Sequence, residues 1–281
     1  MKPLGLAVAA LIAFAANSVL CRLALGDDSI DPWSFTAVRI ATGAIALLAL
    51  TARRQRASRD GGWLRAGWLV LYALPFSLAY VDLDTGSGAL LLFGAVQLTM
   101  IAAGLLRGER PRAFEWAGLL GAAGGLVYLV SPGVTAPDPL GALLMLSAGV
   151  GWGLYSLGGI GSRDATLETA AAFRRAALAV VPAVALAYPF LSFTPRGLLL
   201  ATLSGALTSG IGYAIWYAAL RYLSTTRAAL IQLAVPVLAA VGGVLFLAED
   251  VTARLLVASV VILGSIAIGV VGKKDGKSDN S

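Results

Sequence analysis

Asn17 and Ser18, Gln97 and Thr99, Trp152, Tyr155 and Ser156, Ser209, Tyr213, Trp216 and Tyr217, and Gln232 are polar or aromatic residues set inside apolar runs. In hydrocarbon every amide or hydroxyl needs a partner or a wet cavity, so such groups either hold helices together or line a site. The chemistry they offer is recognition rather than bond-making. Amides and hydroxyls supply donors and acceptors, and the ring faces of Tyr80, Trp152 and Tyr213 attract a cation; together they suit a small zwitterion. Tyr72, Phe76 and Tyr80 recur every four residues, as do Tyr213 and Tyr217. Each set gives one aromatic helix face, a pattern that serves packing as well as binding.

Catalytic groups are scarce. The chain has no histidine and a single cysteine, Cys21, which removes the usual ligands of zinc, haem and iron–sulfur centres and the nucleophile–histidine–acid arrangement. Gly276-Lys277-Ser278 lacks the upstream glycine of a phosphate loop, because Val271 stands there. No cofactor, metal or enzymatic activity is expected; an intramembrane enzyme is the weaker alternative, since its acids and bases would lie at the membrane edge. Asp82 and Asp84, beside Thr85-Gly86, read as a solvated turn or as an external gate and proton entry point. Arg39, Arg174 and Arg175 fall within apolar runs, where a charge at mid-bilayer costs about 3 kcal/mol. They are expected to snorkel, to bond carbonyls or to fix packing; one that points into a cavity would admit an anionic substrate.

The elements that must position these residues follow from composition. Of 281 residues 58% are hydrophobic and 13% charged, and the mean hydropathy is +0.84, which describes an integral membrane protein. A span needs about 20 apolar residues, and the chain predicts an all-α bundle of ten spans near 3–24, 32–52, 64–83, 86–106, 113–131, 138–160, 166–188, 197–220, 226–247 and 253–272. Most Lys and Arg, including Arg53 to Arg59, Arg107 to Arg112 and Lys273 to Lys277, then fall on one side. The positive-inside rule places both termini in the cytoplasm of a multi-pass inner-membrane protein. The net charge of +6 is thus an orientation signal, and no nucleic-acid partner is implied.

Leu90 to Glu109 and Leu230 to Glu249 read as two copies of one segment at a constant spacing of 140 residues: Ala89, Leu90, Leu98, Leu105 and Glu109 meet Ala229, Leu230, Leu238, Leu245 and Glu249. Five spans per copy is an odd number, so the second copy crosses the membrane in the opposite sense. The expected division is a first repeat at 1–131, an inverted second repeat at 138–272 and a polar tail at 273–281. Such duplication implies a transport site between the halves. Pro75, Pro182 and Pro236 interrupt spans, with Pro75 and Pro236 as hinge candidates. Glycines at 149–153, 158–161 and 242–243 permit close approach or bending.

Asp84-Thr85-Gly86-Ser87-Gly88-Ala89-Leu90 through Gln97, followed by Arg107-Gly108-Glu109-Arg110, and in the second half Ala228-Ala229-Leu230 through Pro236 with Ala248-Glu249, resemble the drug/metabolite transporter superfamily of EamA type over nearly the whole chain. The first span carries Ala15-Ala16-Asn17-Ser18 where many relatives have Trp-Gly, a pair that Trp152-Gly153 keeps in the sixth. The resemblance implies a central cavity with alternating access and, by similarity to bacterial amino-acid exporters, export of aromatic or neutral amino acids. Multidrug or other hydrophobic-metabolite export is the alternative. The site residues expected are Asn17, Ser18, Tyr80, Gln97, Trp152, Tyr155, Ser156, Tyr213, Trp216 and Gln232, with Pro75, Pro236, Asp82 and Asp84 for hinge and gate. The partners implied are a small-molecule substrate and the lipid bilayer, with no obligatory protein partner.

Overall fold

A computed structural model describes residues 2–53, 62–106, 113–133, 135–159, 162, 164–220, 222 and 231–272. The expected polar tail, Glu109 and the first residues of the ninth span lie outside the described residues. The helices are α1 (Lys2–Leu25), α2 (Pro32–Thr51), α3 (Gly62–Ala79), α4 (Thr85–Leu106), α5 (Ala113–Val130), α6 (Pro139–Leu157), α7 (Ala165–Leu186), α8 (Pro195–Leu220), α9 (Ala234–Leu247) and α10 (Ala253–Gly272). Among the described residues there is no strand, only an isolated bridge between Ile30 and Phe193. α1, α2, α4, α6, α7 and α8 are long and apolar enough to cross a membrane, and shorter apolar stretches lie at Trp116–Val130, Ala234–Leu247 and Ala253–Ile268. This is a multi-pass membrane protein.

Helix starts are set by short acceptors followed by proline. Asp31 accepts from the backbone N–H groups of Trp33 and Ser34, Asp138 from that of Gly141 and Thr194 from that of Gly197. In each case proline follows at the first helical position, where its missing N–H costs nothing. The stops are turns: α3 ends at Ala79, so the third span is shorter than expected, and residues 80–84 turn into α4. The ninth span also differs, since a turn at Leu233 precedes α9 and puts Pro236 in its first turn.

Packing runs mostly between the halves. α5 lies along α10, α2 against α7 and α8, α3 against α6 and α7, α4 against α6 and α9, and α1 against α8 and α9. Glycines set these distances. A Cβ on Gly151 of α6 would run into the backbone of Leu71 and Tyr72 in α3, and one on Gly205 of α8 would overlap Thr42 Oγ1 and the Arg39 carbonyl of α2. Close approach, rather than bending, is what these glycines provide.

α8 is irregular. Between α-helical stretches at Pro195–Leu203 and Gly212–Leu220, residues Ser204–Ile211 form a π-helix, whose i→i+5 bonding widens the helix and is often found at functional sites. It packs against α1 and α2.

Candidate functional site

A narrow cavity inside the bundle is lined by Phe14, Asn17 and Ser18 of α1, Tyr72 and Phe76 of α3, Leu92 and Phe93 of α4, Trp152 of α6 and Tyr213 of α8. Its free volume is about 20 Å³, room for a water molecule and not for a metabolite. Both halves of the chain contribute to its wall.

Behind the wall runs a polar network that the π segment assembles. Asn17 Oδ1 accepts from Ser204 Oγ at 2.8 Å and Thr208 Oγ1 at 3.1 Å, while Asn17 Nδ2 donates to the Tyr72 hydroxyl at 3.4 Å. Arg39 Nη2 donates to the same hydroxyl at 2.7 Å, and its Nε donates to Ser209 Oγ at 3.1 Å. The guanidinium lies over the rings of Tyr72 and Phe76, 5.0 and 4.9 Å from their centroids. Arg39 is therefore buried in mid-helix and does not snorkel; hydroxyls and ring faces offset part of its desolvation.

The structure brings Asn17, Ser18, Trp152 and Tyr213 together at the cavity. Trp216 stands just outside it, edge-on to Phe14 at 5.8 Å. Ser156 turns its hydroxyl onto its own helix, donating to the Trp152 carbonyl at 2.7 Å. Gln97 is buried on α4 and Gln232 half-buried ahead of α9, and neither lines the cavity. Tyr80 and Tyr155, also off the cavity, end a column of rings that passes through it. Tyr80 packs on Phe76 (4.8 Å), Phe76 on Tyr72 (5.3 Å), Tyr72 on Trp152 (5.0 Å) and Trp152 on Tyr155 (5.4 Å).

Each end of that column meets a tie between helices. Tyr80 donates to the Thr85 carbonyl at 3.3 Å. The N–H and hydroxyl of Thr85 both donate to the Glu249 carboxylate, at 2.9 Å in each case, and Glu249 pairs with Arg22 Nε at 3.6 Å. Ala248, in the left-handed region at φ 54°, turns the chain so that Glu249 reaches α4, a conformation that costs a non-glycine residue about 1 kcal/mol. Burial raises the Glu249 carboxyl above the usual carboxylate range; the Thr85 bonds and Arg22 oppose this only in part. At the other end Arg65, which ion-pairs with Glu168, lies over the Tyr155 ring at 5.1 Å. Asp82 and Asp84 are exposed in the turn beside Glu249. The carboxylate that joins helices there is Glu249, between α9 and α10.

The EamA-like transporter family matches the chain twice, over residues 1–131 and 139–271. The chain belongs to this family. Among its EamA relatives, an uncharacterized Pseudomonas aeruginosa protein, PA1977, is 50% identical over 95% of this chain and 94% of its own. The threonine/homoserine exporter RhtA of Escherichia coli is 31% identical over 86% of this chain and 83% of its own. An uncharacterized transporter of Archaeoglobus fulgidus is 25% identical over 82% of this chain and 84% of its own. A crystal structure sharing 22% identity superposes with a TM-score of 0.67, covering 97% of this chain and 99% of that one. It supports the fold of this EamA protein and nothing finer.

Proposed function

We propose that this EamA transporter exports small neutral amino acids across the cytoplasmic membrane by alternating access, with both termini in the cytoplasm. The observation that carries this reading is a narrow cavity walled by both halves, with a column of rings leading from it to two ties between helices, Glu249 with Thr85 and Arg22 on one side and Arg65 with Glu168 on the other. A site between the halves with ties on either side fits alternating access. Packing supports inverted repeats of five helices. The contact of α1 with α8 has its counterpart in α6 with α3, that of α4 with α6 in α9 with α1, and that of α3 with α7 in α8 with α2. Pro75 lies within α3, Pro182 within α7 and a π segment within α8; α3 and α8 are counterparts in this scheme and serve as hinges.

Asn17, Ser18, Trp152 and Tyr213, with Tyr72 and Phe76, form the substrate wall. The 31% identity to a threonine/homoserine exporter favours a small hydroxylated side chain. The rings already pack on one another, which leaves less room for an aromatic one. One chain encloses the cavity, so no partner subunit is invoked. The test is release of labelled threonine, phenylalanine and a lipophilic cation from proteoliposomes, with and without a pH gradient. Threonine flux above that of empty liposomes supports the reading. Absence of flux for both amino acids refutes it, and flux of the cation alone would put drug export in its place.

A further inference from the structure

Arg39 is 2% exposed, and among the described residues no carboxylate pairs with it. The described ion pairs are Arg22 with Glu249, Arg65 with Glu168 and Arg196 with Asp27. Its Nε and Nη2 are bonded to Ser209 and Tyr72, but Nη1 has no acceptor. Arginine stays protonated at any physiological pH, and a buried cation without counter-charge is costly. The rings of Tyr72 and Phe76 return only part of that cost.

The surroundings are also short of free lone pairs. Asn17 Oδ1 accepts from Ser204 and shares the Thr208 proton with the Ser204 carbonyl, and the Tyr72 oxygen already accepts from Arg39 and Asn17. A phenol has one proton besides its two lone pairs, so the Tyr72 O–H is the group left to donate; in this closed cavity it hydrogen-bonds with the Tyr213 hydroxyl, which an entering carboxylate would replace, and both residues line the cavity. Beside the Ser18 and Tyr213 hydroxyls, which can donate or accept, this wall offers protons with a cation behind them, where a cationic ligand would need oxygen acceptors.

We propose that Arg39, acting through the Tyr72 hydroxyl, supplies the counter-charge that selects ligands bearing a carboxylate, so that amines lacking one are rejected. This rests on the export reading above and names the group that the site grips. The carboxylate accepts the Tyr72 proton and neutralises the guanidinium, while the ammonium of the same molecule faces the rings of Trp152 and Tyr213. Arg39 is thus a positioning residue, and its effect is on discrimination between ligands.

The experiment compares threonine with threonine methyl ester, which keeps the ammonium and loses the charge of the carboxylate. Flux from proteoliposomes and ligand-induced shifts in thermal unfolding are measured for the wild type, Arg39→Gln and Tyr72→Phe. The wild type is expected to favour threonine at least tenfold, and both variants to bring the ratio close to one. A ratio is insensitive to how much protein folds, and Tyr72→Phe keeps the ring if Arg39→Gln proves unstable. Parallel loss for both ligands with the ratio preserved would overturn the proposal. Stabilisation by threonine and not by the ester, without flux, would sink the export reading alone. Equal flux of threonine and ester would sink the carboxylate selectivity alone.

Discussion

Replacing Glu249 with alanine should loosen the end of the bundle where α1, α4 and α9 meet, and Cys21 is placed to report it. The Thr85 N–H and hydroxyl donate to the carboxylate at 2.9 Å, and hydrogen bonds to a charged group contribute about 1.5 kcal/mol each at the low end of their range. The Arg22 pair, at 3.6 Å with the arginine side chain 19% exposed, adds less than about 1 kcal/mol. The Thr85 bonds are the larger favourable contribution, and burial of the carboxylate works against them, so their sum of about 3 kcal/mol, roughly a hundredfold in an opening equilibrium, is an upper limit. Cys21 precedes Arg22, is fully buried and is the sole cysteine of the chain, so maleimide reacts with it only through open states. If those states are rare and exchange quickly, the labelling rate follows their population. The expected result for Glu249→Ala in proteoliposomes is acceleration by between tenfold and a hundredfold. A rate within twofold of wild type would refute the idea that Glu249 holds this end closed.

The same carboxylate gives a pH dependence. Burial raises its proton affinity in the closed form above that in an open, solvated form. Closure is therefore favoured below the open-form pKa, and that contribution is lost as pH rises through the closed-form value. With Arg22 and Asp84 as its charged neighbours, wild-type Cys21 labelling, normalised to Glu249→Gln, should slow on acidification; no pH dependence would count against the burial of Glu249. Gly205→Ala should lower stability by about 1–3 kcal/mol, since its Cβ overlaps backbone and hydroxyl atoms of α2. Gly67→Ala, with nothing within 4 Å, should leave the unfolding temperature unchanged. Asn17→Ala removes the acceptor of the Ser204 hydroxyl, while Thr208 keeps its bond to the Ser204 carbonyl, and should cost about 1–3 kcal/mol together with threonine flux. Ser156→Ala, whose hydroxyl bonds its own helix, should retain flux, and equal loss in both would contradict the placement of the cavity. Tyr80→Leu interrupts the ring column outside the cavity; threonine should still stabilise the protein but no longer change the Cys21 labelling rate.

Much of the bundle was legible because hydrocarbon leaves so few options: long apolar runs must be helices, and the polar residues within them must find one another. That logic singles out Asn17, Ser18, Trp152 and Tyr213, which lie together at the cavity. It did not find Ser204 and Thr208, nor the partner of Ser209, for a geometric reason. At 3.6 residues per turn a residue five places after Ser204 points well away from it. The i→i+5 spacing of the π segment brings Ser209 back toward the face that carries Ser204 and Thr208, and nothing in a hydropathy pattern announces that change of pitch. Of the roles open to Arg39 the structure has it join helices, and hydropathy does not name its partners, since Tyr72 and Ser209 lie 33 and 170 residues away. Glu249 was passed over because its reach to α4 depends on a left-handed alanine. Gln97 and Gln232 fit the same polar-in-apolar signal as Asn17, and that signal does not distinguish a wall from a neighbouring helix contact.

The ring column explains why Tyr80 and Tyr155 stood out in the sequence although neither touches the cavity. A void of about 20 Å³ cannot accept threonine until its rings move. Tyr72, Phe76 and Trp152 are the rings of the column that line the cavity, so a ligand entering there presses on the column. Packed side chains do not compress; they shift between discrete arrangements. Phe76 bears on Tyr80, which bonds the Thr85 carbonyl, and Trp152 bears on Tyr155, which lies under Arg65. Ring movement at the cavity therefore displaces groups that contact each tie, Thr85 beside Glu249 at one end and Arg65 beside Glu168 at the other. A ligand shifts such an equilibrium only by its differential affinity for the two arrangements. The tie that gives way is the one whose ring has less room to re-pack against its neighbours, so occupancy at the centre is read at the ends through contact alone.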